Sequence, residues 1–244
     1  MQQPSRPDTS SARKNLAALL RIFAALRFDD LLYTHCAARV PERPDHLLMN
    51  PQGLLFEEVR ASDLVELSLA PEPPPGGFNL IGYRLHAALL RAFPAANCTI
   101  HLHTPAGVAV SSQAAGLLPL SQPAMLLTGR IAFHDNEGLT FEPEELGRLV
   151  AAMGDKQVMF LRNHGTVVWG RSFAEAFELA YNLERACDTQ VRALAGGTAL
   201  ALPPPGVAEL TQRQYASFGY PNDDALGWQA VLRKVARLDP HYEG

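Results

Sequence analysis

The sequence predicts an α/β fold built on a mostly antiparallel sheet. Short strand-like apolar runs mix irregularly with amphipathic helical stretches, so no regular β-α-β repeat is there to lay down a doubly wound parallel sheet. Two apolar runs, 158–161 and 166–169, are separated only by Arg162-Asn163-His164-Gly165, a spacing that suits a β-hairpin with Gly165 at a turn position. The 244 residues are 47% hydrophobic and 19% charged, enough to bury a real core and too apolar for wholesale disorder.

The elements follow in order. Residues 1–11 are polar and hold two prolines, and read as a disordered tail before a single domain over 12–244. Leu16, Leu19, Leu20, Phe23 and Leu26 recur at helical spacing, which predicts an amphipathic helix over about 12–27. Extended pieces come next at 35–40 and 46–49, then the turn Asn50-Pro51-Gln52-Gly53, with 54–56 read as a continuing strand and 65–69 as another. The Pro- and Gly-rich stretch 71–77 is a loop. Asn79 caps a helix to about residue 93, and 98–103 reads as a buried strand. Pro105 opens a further helix, 131–133 is a short strand, and Pro143 starts a helix to about residue 153. After the hairpin, Ser172 and Glu175 form a capping-box pair for a long helix to about residue 194, ended by Gly196-Gly197. Residues 201–206, with three consecutive prolines, form a linker to two short helices at about 209–217 and 222–237, the second capped by Asn222. No internal repeat is visible.

Composition excludes several functions. Net charge is −4 with no basic tract, so neither nucleic acid nor an anionic membrane surface is an expected partner. No apolar run approaches the roughly 18 residues of a membrane span, and the N-terminal residues have neither signal-peptide nor transit-peptide character. Cys36, Cys98 and Cys187 are widely spaced, odd in number and without a CxxC, which argues against a disulfide scaffold or a cysteine zinc site and points to a reducing cytoplasm. Lys14, Lys156 and Lys234 all lie in polar stretches, unsuited to Schiff-base chemistry.

The sharpest chemical feature is His101-Leu102-His103-Thr104. On a strand, side chains at i and i+2 face the same way, so both imidazoles would meet one site as a chelating pair does. The plainer reading is two histidines at a strand end, one buried and hydrogen-bonded. His164, at the hairpin turn, is the best third ligand, or else an ordinary turn residue. Three histidines with open positions would make a catalytic metal site rather than a structural one. His86 lies on a helix, where a packing seam is the alternative to a role in a site. His134-Asp135 reads as a hydrogen-bonded pair or a turn cap, and Arg130 and Arg162 as anion partners or surface charges. Glu144 and Glu145 suit the first turn of a helix. Glu175, Glu178, Glu184 and Arg185 read as a solvated face of the long helix.

Taken together, these segments resemble the class II aldolase/adducin family. The matching stretches are Thr34-His35-Cys36-Ala37-Ala38-Arg39-Val40-Pro41, Asn50-Pro51-Gln52-Gly53, Ser62-Asp63-Leu64, residues 82–86, His101-Leu102-His103-Thr104, residues 129–138, Arg162-Asn163-His164-Gly165 and Glu184-Arg185-Ala186-Cys187. They occur in the family's order over about 15–240, and look more like the adducin-like bacterial branch than the sugar-phosphate aldolases. The resemblance implies a three-layer α/β/α domain with a central, mostly antiparallel sheet. It also implies a divalent metal, zinc in the aldolases, on His101, His103 and His164, and a homotetramer with sites near subunit interfaces.

The departures from the family pattern narrow the function. The aldolases carry a glutamate, acting as general acid/base, four residues before the helix histidine; here that residue is Gly82. Where they cradle a substrate phosphate, this chain has Thr34-His35, Gln52-Gly53 and Leu80-Ile81, so most of the small hydroxyl donors are gone. The expectation is a metal-dependent lyase, cleaving a C–C bond or decarboxylating through a metal-stabilised enolate, on a small non-phosphorylated carbonyl or carboxylate compound. His35, His86 and His134 are the acid/base candidates; a tyrosine from a neighbouring subunit or metal-bound water could also serve. Gly53, Gly82 and Arg162 are the substrate-binding candidates. Zinc is the expected ion, with manganese and iron as alternatives. Three other readings stay open: a non-catalytic adducin-like binding or scaffold protein, an iron-dependent oxygenase on the same fold, and a soluble α/β protein whose histidines are only core or surface residues.

Overall fold

The computed structural model describes residues 8–70, 76–139 and 142–244. In chain order its elements are α1 (Thr9–Leu26), β1 (His35–Val40), β2 (Arg43–Met49), β3 (Val65–Ser68), α2 (Leu80–Ala92), β4 (Cys98–Leu102), α3 (Pro105–Ser111), α4 (Gln122–Leu126), β5 (Ile131–His134), α5 (Pro143–Met153), β6 (Val158–Leu161), β7 (Gly165–Gly170), α6 (Phe173–Ala195), α7 (Val207–Ser217) and α8 (Leu226–Leu238). One seven-stranded sheet runs β3-β2-β1-β4-β7-β6-β5. Its neighbouring strands are antiparallel except β5 and β6, which are parallel. The meander β1-β2-β3 forms one half, and the β6-β7 hairpin, added to β4 and flanked by β5, forms the other. Among the described residues no helix is long and apolar enough to cross a membrane.

Strand alternation divides the core into two layers. Cys98, Ile100 and Leu102 of β4 join Cys36, Ala38 and Val168 in a cluster with α1, α6 and α8. Ala37, Leu47, Met159, Val167 and Trp169 point the other way, into a cluster with α2 and α5. The sheet is thus covered on both faces, as the resemblance implied. Aromatic rings tie the first layer together: buried Phe23 stacks on half-buried Phe177 at 6.0 Å, and Phe177 meets Trp228 at 5.6 Å. The Trp228 Nε1–H donates to Asn15 Oδ1 at 2.6 Å, fastening α8 to α1.

Several boundaries differ from the sequence reading, each for a local reason. The Asp8 side chain accepts from Ser11 N at 2.7 Å and starts α1 at Thr9, so the helix takes in residues 9–11 of the expected tail. Residues 1–7 lie outside the described residues, as does the 71–75 part of the Pro-rich loop. Residues 54–56 are not a strand, because the Leu55 carbonyl accepts from Glu58 N at 2.8 Å in a turn. Helix α4 was not expected; Ser121 caps it and Pro123 sits in its first turn. The last helix starts after Ala225, not Asn222, whose side chain instead accepts from Asp224 N at 3.0 Å.

The seat of α6 on the sheet depends on Gly170. A Cβ there would collide with Ala176 N and lie 2.8 Å from Ala176 Cα, so the helix would have to lift. Gly170→Ala should cost about 1–3 kcal/mol of stability by overpacking. Gly147→Ala in α5, where a Cβ meets nothing within 4 Å, should be neutral or stabilising by up to about 1 kcal/mol. Denaturant midpoints of the two variants check the contrast.

Candidate metal centre

Three elements deliver the imidazoles. β1 and β4 lie side by side with His35 opposite His101, and β4 pairs in turn with β7, Leu102 opposite Thr166. Alternation turns Thr99 and His101 toward α2, and His103, one step past the strand end, shares their parity. His164 lies in the β6–β7 turn, where Asn163 takes a left-handed φ of 58° that Asn tolerates better than most residues. Gly165 then passes directly against β4. A Cβ at 165 would collide with the Leu102 carbonyl oxygen and lie 2.9 Å from His103 Cδ2. That close approach brings His164 to His103.

The three rings converge through their Nε2 atoms. His103 Nε2 lies 2.8 Å from His101 Nε2 and 3.0 Å from His164 Nε2. Their partners set the tautomers. His101 Nδ1 is 3.0 Å from the Thr166 carbonyl oxygen, which can only accept, so Nδ1 carries the proton. His103 Nδ1 is 3.3 Å from Asp30 Oδ2, again an acceptor. Both Nε2 atoms therefore present lone pairs to each other at 2.8 Å, an arrangement that a cation between them relieves. Burial makes a proton a poor choice of cation. It pushes His101 well below the ordinary imidazole range, helped by the nearby His35, His103 and His164. It lowers His164 to about 4, helped by His103. His103 is lowered by burial, against which the Asp30 carboxylate pulls upward. Neutral imidazoles with converging lone pairs, one of them backed by a carboxylate, fit a divalent transition metal. Among the described residues this is the one His, Cys, Asp and Glu grouping that could hold one.

A second set of side chains adjoins the triad. The His35 ring is 4.9 Å from the His101 ring. His35 Nδ1 is 2.8 Å from His86 Nε2, and His86 Nδ1 is 2.7 Å from Thr99 Oγ1, all buried. Burial drives His35 well below its ordinary pKa, and lowers His86 to about 3. The His35 ring lies over Gly82, where a Cβ would come within 2.6 Å of His35 Cδ2 and 2.7 Å of Nε2. Any side chain at 82 and this position of His35 are mutually exclusive.

The remaining sequence candidates lie elsewhere or are engaged. His134 is on β5, three strands from β4, with its Nε2 3.5 Å from the buried Glu145 Oε1. Arg162 donates to the Ser111 and Gln113 carbonyls and stacks its guanidinium 4.2 Å from the centre of the Phe133 ring, so it braces the hairpin. Gly53 takes a φ of 97° in a loop, with nothing near its Cα face. Glu175 and Glu184 are 2% and 3% exposed, which corrects their reading as a solvated face. Glu184 was legible: it shares helical spacing with the apolar Ala180, Leu183 and Cys187. Asp30 carried no sequence signal, being a loop residue 73 positions from His103.

Residues 14–191 match the family model described as class II aldolase and adducin N-terminal domain. A Caulobacter vibrioides protein named for aldolase class 2 is 39% identical over 234 residues, covering 95% of this chain and 91% of that one. Alpha-adducin of Rattus norvegicus is 40% identical over 230 residues, which is 89% of this chain and 31% of the adducin. The crystal structure of an aldolase II superfamily protein from Pseudomonas syringae superposes with a TM-score of 0.91 at 39% identity, covering 98% of this chain and 97% of that one.

The buried neutral His86 makes stability depend on pH. Unfolded, its ring titrates near 6.5; folded, not until about 3. Its contribution is complete above about pH 6.5 and is lost as pH falls toward 3, at up to about 1.4 kcal/mol per pH unit. Urea midpoints of chelator-treated protein should fall between pH 7 and 5, and His86→Gln should reduce that slope by about one proton's worth. Equal slopes would contradict the assignment.

Proposed function

Because the chain belongs to the class II aldolase and adducin family, we propose that it is a metal-dependent lyase. Its substrate in this reading is a small, non-phosphorylated carbonyl or carboxylate compound. The observation that carries the proposal is the 2.8 Å approach of two imidazole lone pairs, with the third Nε2 at 3.0 Å. His101, His103 and His164 would hold a divalent ion, zinc in our reading. The ion would supply Lewis-acid stabilisation of negative charge on a substrate oxygen, as C–C cleavage or decarboxylation requires.

The protein's own groups do the rest. Asp30 and the Thr166 carbonyl orient two of the rings. His35 takes the space that a side chain at 82 would need, and we assign it the proton transfer that a glutamate there would perform. The chain behind it supports both directions. If the Thr99 hydroxyl donates to His86 Nδ1, then His86 Nε2–H donates to His35 Nδ1, and His35 Nε2 bears a proton. If that hydroxyl instead turns to the Ala37 carbonyl at 3.5 Å, each donor reverses and His35 Nε2 presents a lone pair. The two states are neutral tautomers with the same number of protons, so they set whether His35 Nε2 meets the substrate as donor or acceptor, and the charge made by a transfer is cancelled when the proton is returned. The exposed Leu80 on the wall where the family cradles phosphate favours a non-phosphorylated substrate.

Exposed Leu31, Leu32 and Tyr33, adjoining Asp30, support a homo-oligomer, a tetramer by family likeness, with the site near a subunit boundary. Three free, buried cysteines suit a reducing cytoplasm. A second reading, an adducin-like binding protein, draws on Gly82 and on the likeness to alpha-adducin.

Elemental analysis of tag-free, chelator-washed protein, before any ion is added, should give about one tightly held metal per chain, lost in His101→Ala and His103→Ala. Iron held instead of zinc would move the reading to oxygenation, and no metal would move it to the binding protein. Once screening of hydroxy acids and aldols identifies a substrate, His35→Gln should keep its metal and lose turnover by about 10²–10⁴-fold. Undiminished turnover would remove His35 from the mechanism.

A further inference from the structure

A buried carboxyl group lies on the sheet face opposite the imidazoles and has no part in the chemistry above. Glu184 of α6 is 3% exposed. The Thr104 hydroxyl donates to its Oε2, and the Thr166 hydroxyl donates to its Oε1 at 3.4 Å. Thr104 Oγ1 also accepts from Gly107 N at 3.1 Å, capping α3. The cluster is close-packed: a Cβ on Gly107 would lie 2.8 Å from Thr104 Oγ1, 3.1 Å from Glu184 Oε1 and 3.1 Å from Thr166 Cγ2. Burial pushes the Glu184 carboxyl up to about 7, against the pull of the two hydroxyl donors.

Both threonines stand at the metal ligands. Thr104 follows His103 directly. Thr166 is two residues past His164, and its carbonyl holds His101 Nδ1. The two hydroxyls meet Glu184 of α6, while His101 shares the α2-facing parity of Thr99, whose hydroxyl meets His86. An apolar side chain would serve helix packing at position 184 at least as well, since Ala180, Leu183 and Cys187 beside it are all buried. A carboxyl here is therefore explained by what its two oxygens hold.

We infer that Glu184 is a positioning residue for the metal centre. It clamps the end of β4 to the start of β7 through Thr104 and Thr166. By that clamp it sets the spacing and ring orientation of His101, His103 and His164 from the far side of the sheet. The inference rests on the metal reading proposed above, and it names what fixes the strength and geometry of that site.

The test is Co²⁺ binding to the full chain, measured by chelator competition and by the visible d–d spectrum. Glu184→Gln and Glu184→Met should weaken Co²⁺ binding by about 10–100-fold and alter band position and intensity, while the metal-free protein keeps its melting temperature within a few degrees. Thr166→Val, which replaces the hydroxyl with a methyl group of similar size, should reproduce part of the loss, and combined with Glu184→Gln should add little. It also serves if a Glu184 variant fails to fold. Wild-type affinity and spectrum in folded Glu184→Gln or Thr166→Val would overturn the inference and leave the metal reading standing. Absence of Co²⁺ uptake by the wild type would overturn both.

Discussion

The site depends on the antiparallel pairing of β4 with β7 at their shared end. His103 and His164 are 61 residues apart in sequence and meet only because Leu102 lies opposite Thr166. The pairing has no tolerance for a side chain at 165, where the Leu102 carbonyl and the His103 ring fill the space. Register is equally demanding. A one-residue slip would send His101 to the α6 face and Leu102 into the centre. The two apolar layers, built from opposite parities of the central strands, hold the register in place.

Given that pairing, the electrostatics follow. Each imidazole is kept neutral mainly by burial. Acceptors on the Nδ1 side of two of them, the Thr166 carbonyl and Asp30, turn lone pairs inward. The folded chain thus turns the Nε2 lone pairs of His101 and His103 toward each other, an arrangement that a cation between them relieves. The same burial that disfavours protonation leaves His35 and His86 as a neutral hydrogen-bonded chain against the triad, in the volume opened by Gly82.

Much of this was legible in the sequence because it is local. The i, i+2 spacing of His101 and His103 carried their common direction. The hairpin spacing carried His164 to a turn, and the ordered segments carried the family and the three-layer fold. What escaped was set by long-range packing. Asp30 finds His103 across 73 residues of chain, with no pattern to mark it. Glu184 was misread because charge suggested solvent, although its spacing matched the buried stripe of α6. Gly82 was read as the loss of an acid/base group. The packing adds that the vacated volume is filled by the His35 ring. His134, on a strand well away from the centre, has its Nε2 3.5 Å from Glu145 of α5, a contact that nothing in the sequence marks.

The most direct test of the central claim is anomalous diffraction from crystals grown with zinc, collected on both sides of the zinc absorption edge. The account predicts a single strong edge-dependent peak per chain, bonded at about 2.0–2.1 Å by the Nε2 atoms of His101, His103 and His164. Crystals in which those nitrogens are bridged by water or by a proton, with the zinc peak absent or elsewhere, would contradict it.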